Sequence, residues 1–139
     1  MSDPKIEALK KVPLFSHCSP KELEFVASRT DEVSAPAGRQ LTSQGKPGSA
    51  FYLLLDGEAD VTIDGKHRRT LKRGDFFGEI SMLDLGPATA TVVTTTPVRL
   101  MVMSHPQFRD AVRANADLLT QVMAAMGERL RSDSLAPRT

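Results

Sequence analysis

Residues 77–92 combine glycine, an acid and hydroxyl side chains at a spacing that suits the binding of a small anion. Gly78-Glu79 precedes a short apolar run that Gly86-Pro87 ends, and β-branched residues follow. A strand end, a short helix and a tight loop would surround one concavity with N–H groups, because the first N–H groups of a helix lack partners within it. At its edge, Glu79 could accept a hydrogen bond from a neutral hydroxyl such as a ribose 2′-OH. The alternative, a strand–turn–strand whose glycines only form corners, is equally compatible with the local pattern.

The middle of the chain, from Asp31 to Ser104, alternates apolar and polar residues and is divided by glycines, which predicts a set of short β-strands. Asp56-Gly57 and Asp64-Gly65 each predict a tight hairpin turn. The polar residues in Arg68 to Leu71 indicate an exposed face of the sheet. Short strands spaced by about eight residues are typical of a small β-barrel or jelly roll.

Helices are predicted on both sides of this β-region. Before it, residues 5–11 have helical spacing, and Ser19-Pro20 provides an N-cap and a first helical residue for a second helix. After it, His105-Pro106 begins one helix, and Asp117 is expected to cap a last helix that runs to about residue 132.

Length and composition predict one domain, residues 1–131, followed by a disordered polar tail, residues 132–139. A net charge of +1 without blocks of like charge does not indicate a nucleic-acid or membrane surface. The first residues open no apolar run, so we expect no signal peptide, and no segment of the sequence has the apolar length that spans a membrane. The lone cysteine, Cys18, cannot form an internal disulfide, so we expect a cytoplasmic protein. The start at Met1 and the soft tail favour a standalone protein over a fragment.

Residues that carry out catalysis or hold a metal do not cluster in this sequence. His17, His67 and His105 lie on different predicted elements without the close spacing of a metal site. Neither a Ser/His/Asp arrangement nor a pair of catalytic carboxylates stands out. We therefore expect a protein that is not an enzyme and carries no metal or cofactor, with a metal-dependent cupin as the distant alternative.

The stretch 77–92 resembles the phosphate-binding cassette of the cyclic nucleotide-binding domain, a family that includes catabolite activator proteins and protein kinase A regulatory subunits. The family pattern is F-G-E, a few apolar residues, a turn, and P-R-[AST]-A-[ST]-V. Phe77-Gly78-Glu79 and residues 87–92 match it without a gap, except that the family's arginine falls on Ala88. Residues 51–58 resemble a second hallmark, and the resemblance covers roughly residues 5–130.

This resemblance implies an α+β fold, a jelly roll of about eight strands with N-terminal helices, a short cassette helix and C-terminal helices. It also implies a signalling module that binds cAMP, with cGMP as an open alternative, more weakly because Ala88 replaces the phosphate-binding arginine. The implied ligand-binding residues are Gly78, Glu79, Ile80, Ser81, Ala88, Thr89 and Ala90. The second hypothesis is a degenerate domain of the same fold that acts through dimerisation or protein contact.

The last helix carries an apolar stripe that predicts a homodimer. Its members step by four, three and four residues, the spacing of a coiled-coil seam, and are Leu119, Met123, Met126 and Leu130. In the family this helix closes over the base and often pairs with its twin. The alternative is that the stripe packs on the barrel of its own chain.

Overall fold

The structure is a computed structural model that describes residues 4–16, 18–48 and 50–135. Its helices are α1 (Pro4–Lys10), α2 (Pro20–Ser28), α3 (Glu79–Asp84), α4 (His105–Ala114) and α5 (Ala116–Leu135), with a 3₁₀ turn at Pro13–Phe15. Its strands are β1 (Asp31–Ala35), β2 (Gln40–Thr42), β3 (Ala50–Asp56), β4 (Ala59–Ile63), β5 (Lys66–Leu71), β6 (Phe76–Phe77), β7 (Thr91–Thr94) and β8 (Val98–Ser104).

The strands form two four-stranded antiparallel sheets, in the orders β1-β8-β3-β6 and β2-β7-β4-β5. Helices precede and follow these sheets, and α3 lies between β6 and β7. This arrangement confirms the predicted α+β jelly roll with its short cassette helix.

The two predicted hairpins have different outcomes. Asp64 and Gly65 both have positive φ, 54° and 76°, as a tight two-residue turn requires, and they join β4 to β5 as predicted. The prediction of a hairpin at Asp56-Gly57 was wrong, because the strands on either side of it, β3 and β4, belong to different sheets. A side chain at Gly57 would overlap the carbonyl oxygen of Pro97, so this glycine serves a close approach of two chain segments where the chain changes sheet.

Strand β3 is apolar on both faces because both faces are covered. Phe51, Leu53 and Leu55 pack into a cluster shared with the helices, whereas Leu54 packs into a second cluster between the sheets. The ring of Phe51 lies 5.1 Å from that of Phe108 in α4, centroid to centroid. The first cluster therefore fixes the helices on the outer face of one sheet, and the second holds the two sheets together.

Helix α5 differs from its prediction at both ends. Asn115 caps it in place of Asp117, since the Asn115 Oδ1 atom accepts a hydrogen bond from the Asp117 N–H at 3.0 Å. The helix continues to Leu135, past the predicted end near residue 132. Residues 132–135, predicted to begin a disordered tail, therefore belong to this helix, and the rest of the predicted tail, residues 136–139, lies outside the described residues. Within the described residues, no helix is both long and apolar enough to cross a bilayer.

The apolar stripe predicted on α5 is divided between two faces of the helix. Among the described side chains of α5, Leu118 and Val122 are buried, and Met126 packs against the same cluster. Met123 points outward with 58% of its surface exposed. The side chain of Leu130 lies outside the described residues. Of the described residues in the predicted stripe, Met126 therefore faces the core, whereas Met123 faces outward.

Candidate functional site

The cassette begins at a glycine that no other residue could replace without strain. Gly78 follows β6 and has φ +87°, in the left-handed region that side chains disfavour. A Cβ atom there would also overlap the carbonyl oxygen of Ala50 on β3. This close approach lets the chain turn directly from β6 into α3, so that Glu79 becomes the first residue of the helix.

The loop after α3 is held by backbone hydrogen bonds. The Leu85 N–H donates to the Ser81 carbonyl at 3.0 Å, which ends the helix. The Ala88 N–H then donates to the Lys46 carbonyl at 2.9 Å, and the Ala88 carbonyl accepts from the Gly45 N–H at 2.9 Å. The loop at residues 45–47 therefore fixes the cassette from outside. It also engages the Ala88 N–H, which leaves that group unavailable to a ligand.

Helix α3, this loop and the face of the β2-β7-β4-β5 sheet enclose a pocket. Its cavity volume is about 110 Å³, and it is open to solvent on one side. All seven residues predicted to bind a ligand line this one pocket: Gly78, Glu79, Ile80, Ser81, Ala88, Thr89 and Ala90. The structure thus brings together residues from both ends of the cassette. The assignment of a ligand to them stays a prediction.

The predicted set of site residues did not include the rest of the pocket lining, which forms the opposite wall. That wall is mostly apolar and consists of Thr42, Val61, Ile63, Arg69, Leu71, Phe77, Val92 and Met126. The ring of Phe77 stacks on Tyr52, with 4.7 Å between centroids, which fixes its orientation. Met126 brings α5 to the pocket, so the last helix contacts the same space as the cassette. A flat aromatic ring system would suit such a wall.

Two charged side chains line the pocket within the described part of the chain, Glu79 and Arg69. Glu79 has only 4% of its surface exposed. A carboxylate so deeply buried needs hydrogen-bond donors or a positive charge nearby. Of the arginines that flank the cassette in the sequence, Arg68, Arg69, Arg73 and Arg99, Arg69 alone is found among the described residues that line the pocket. Arg99 instead pairs with Glu32 at 2.6 Å, a contact that raises the pKa of Arg99.

A second cavity of about 200 Å³ adjoins the pocket at Ala88. The two cavities share Thr42, Gly78, Ser81 and Ala88. Gly48 closes the second cavity, where any side chain would overlap the Ser81 hydroxyl. None of the described residues that line this cavity is charged. The cassette side of the site therefore has space next to Ala88 but no positive charge.

Potential metal ligands are dispersed in the described residues, which contain no group of three or more His, Cys, Asp or Glu able to hold a metal ion. His67 lies near Asp60 at 3.4 Å on the β4–β5 hairpin, and His105 begins α4. His17 lies outside the described residues.

Cys18 lies away from the pocket, packed against the helical cluster. The Asn115 amide donates to its sulfur at 2.8 Å. Burial, and then the negative charge of Glu22, raise the pKa of the Cys18 thiol. A raised pKa keeps the thiol protonated and therefore poorly nucleophilic at neutral pH, as expected for a structural cysteine.

A jelly roll with a strand–helix–loop cassette, and a pocket that the C-terminal helix lines through Met126, is the architecture of a small-molecule-binding module. The sequence model of the family described as "Cyclic nucleotide-binding domain" matches residues 32–115, more than half of the chain. The chain belongs to the cyclic nucleotide-binding domain family.

Similar proteins come from two groups of regulators. The chain is 36% identical over 113 residues to a cAMP-dependent protein kinase regulatory subunit of Aspergillus niger, covering 80% of this chain and 28% of that protein. It is 26% identical over 130 residues to a CRP-like cAMP-activated global transcriptional regulator of Mycobacterium tuberculosis, covering 90% and 58%. The catabolite activator protein of Thermus thermophilus superposes with a TM-score of 0.79 at 27% identity, covering 88% and 60%. The chain thus spans less than two thirds of each of these relatives.

Proposed function

We propose that this chain is a regulatory module that binds a 3′,5′-cyclic nucleotide, with cAMP as the first candidate and cGMP as the second. The observation that carries the proposal is the buried carboxylate of Glu79 at the start of α3, inside a pocket that also contains Ser81. Glu79 would accept a hydrogen bond from the ribose 2′-OH, and the first N–H groups of α3 would face the phosphate. The names of the similar kinase subunits and transcription regulators support cAMP as the ligand.

We expect the base to lie against the apolar part of the opposite wall. Val61, Leu71 and Val92 supply an apolar surface, and Met126 would lie against the base from α5. A ligand that contacts both the cassette and α5 favours the arrangement in which α5 is closed over the pocket. Binding would therefore be transmitted to the C-terminal helix. We infer that this helix is the output of the module, which would act by binding and not by catalysis.

The test is calorimetric titration of cAMP into the wild type and into Glu79→Ala. A hydrogen bond to a charged carboxylate contributes about 1.5–3 kcal/mol, so the substitution should weaken cAMP binding about tenfold or more. Titration with 2′-deoxy-cAMP provides the control. The wild type should bind it as weakly as Glu79→Ala binds cAMP, and Glu79→Ala should not distinguish the two ligands. Equal cAMP affinity in both proteins would exclude the ribose role.

We also propose a homodimer through the outward face of α5. Met123 is an exposed large apolar side chain on this helix, and Leu119 lies half-buried one turn before it. Two copies related by a two-fold axis would cover these side chains against each other. If the chain is instead a degenerate domain that binds no ligand, it would use this same face of α5 for dimerisation or protein contact.

Met123→Glu should convert the dimer to a monomer, because it would place two like charges at the two-fold axis. The jelly roll should stay folded, since Met123 is exposed and lies outside the core. Light scattering measures the mass and circular dichroism the fold. The matched control is Met126→Leu, a substitution on the inner face that should leave the mass unchanged. If the wild type is already a monomer at high concentration, Met123 does not form an interface.

A further inference from the structure

The charge balance of the pocket poses a problem for any anionic ligand. A cyclic phosphate carries a negative charge, which Glu79, the one acid among the described lining residues, cannot balance. The second cavity contributes no charge among its described lining residues, and Ala88 supplies no donor from its side chain. An opposite charge must therefore come from elsewhere in the lining, where Arg69 is the one cation among the described residues.

A β-bulge places Arg69 on the pocket face of the sheet. From the turn upward, Ile63 pairs with Lys66 and Thr62 with His67, but Val61 pairs with Arg69. Arg68 is thus the extra residue of the bulge. Without this bulge, the register would pair Val61 with Arg68 and turn Arg69 to the other face, because successive side chains alternate across a strand.

Arg69 ends a row of side chains that crosses the sheet beneath the pocket. Thr42 pairs with Val92, Val92 with Val61, and Val61 with Arg69, and all of them line the pocket. Strands are about 4.8 Å apart, so the Arg69 backbone lies about 10 Å across the sheet from β7. The cassette ends within β7, and the pocket has lining residues on both β7 and β5. A ligand in the pocket would have the cassette on one side and Arg69 on the other.

We propose that Arg69 recognises the anionic phosphate of the bound nucleotide and supplies the charge that Ala88 does not. Its guanidinium can donate two parallel N–H groups to two phosphate oxygens. The inference rests on the proposed nucleotide-binding function. It assigns phosphate recognition to β5 in addition to the cassette, with Glu79 on the ribose.

The experiment compares Arg69→Gln with Arg68→Gln, a matched control that removes the same charge from the adjacent bulge position. Each protein is titrated calorimetrically with cAMP and with uncharged adenosine. Arg69→Gln should weaken cAMP binding at least about tenfold and leave adenosine binding unchanged. Arg68→Gln should leave both unchanged. The cAMP affinity of the wild type should also fall more steeply with added NaCl than that of Arg69→Gln.

Three results would overturn this assignment. Unchanged cAMP affinity in Arg69→Gln would refute the role of Arg69 while the nucleotide-binding function stands. Equal losses for cAMP and adenosine would show that Arg69 shapes the pocket and does not bind the phosphate. A wild type that binds no cAMP even at millimolar concentration would refute the proposed function together with the role of Arg69.

Discussion

Gly78→Ala is expected to lower the free energy of unfolding by about 2–5 kcal/mol. A side chain in the left-handed region costs about 1–2 kcal/mol. Here it would also overlap the Ala50 carbonyl oxygen, which is backbone of the central strand β3 and has little freedom to move. Forcing an atom into a packed site costs about another 1–3 kcal/mol. The sum is a large part of the roughly 5–15 kcal/mol that stabilises a domain.

The measurement is urea unfolding without ligand, followed by circular dichroism. Gly38→Ala is the matched control, because Gly38 has nearly the same backbone angle, φ +82°, but no heavy atom within 4 Å of an added Cβ. Gly38→Ala should lower the free energy of unfolding only by the cost of a side chain in the left-handed region, about 1–2 kcal/mol. The difference between the two variants measures the contact with Ala50. Equal losses would mean that the cassette relaxes away from β3 and that the close approach is not essential.

The sequence could predict the cassette because its geometry is local. The turn into α3 needs a glycine, the helix needs a stop, and both residues lie within the stretch that they shape. The seven predicted site residues consequently line one pocket. The capping box of α2 was predictable for the same reason, since the Glu22 N–H donates to the Ser19 hydroxyl three residues away.

Features that depend on pairing between distant segments could not be predicted. Asp56-Gly57 has the composition of a hairpin turn, but contact with Pro97 and the change of sheet decide its role. Arg69 lies in a polar stretch that indicates an exposed strand face. A one-residue bulge at Arg68, invisible in the polar/apolar pattern, decides which arginine lines the pocket.

Helix α5 illustrates a further limit. Leu118 and Val122 pack into the helical cluster, whereas the heptad pattern selected Leu119 and Met123. Both sets have helical spacing, and they differ by a rotation of about 100° around the helix axis. Only the position of the neighbouring helices and of the pocket determines which set faces inward. The periodicity therefore predicts a helix with an apolar side but not what covers that side.

Ala88→Arg should tighten cAMP binding about ten- to two-hundredfold. The gain corresponds to one charge-assisted hydrogen-bonded contact of about 1.5–3 kcal/mol. The longer side chain has room, because Ala88 borders both the pocket and the adjoining cavity of about 200 Å³. A guanidinium there would meet the phosphate from the cassette side, opposite Arg69. Calorimetric titration of cAMP into the variant and the wild type measures the gain.

Ala88→Gln separates charge from size, since glutamine is long and polar but neutral. It should gain little affinity, and the gain of Ala88→Arg should shrink with added salt. The double variant Ala88→Arg/Arg69→Gln adds a further test. If both arginines bind the same phosphate, the gain from Ala88→Arg should be larger when Arg69 is absent, because neighbouring sites that share a partner are not additive.

The result for Ala88→Arg also decides between the two readings of the family resemblance. If Ala88→Arg binds cAMP more tightly than the wild type, the cassette backbone, Glu79 and the apolar wall form a competent site that lacks only one charge. If Ala88→Arg binds no cAMP although circular dichroism shows it folded, the missing arginine is not the defect. The apolar wall and the buried carboxylate would then be structural, and the outward face of α5 at Met123 would become the leading candidate for the functional surface.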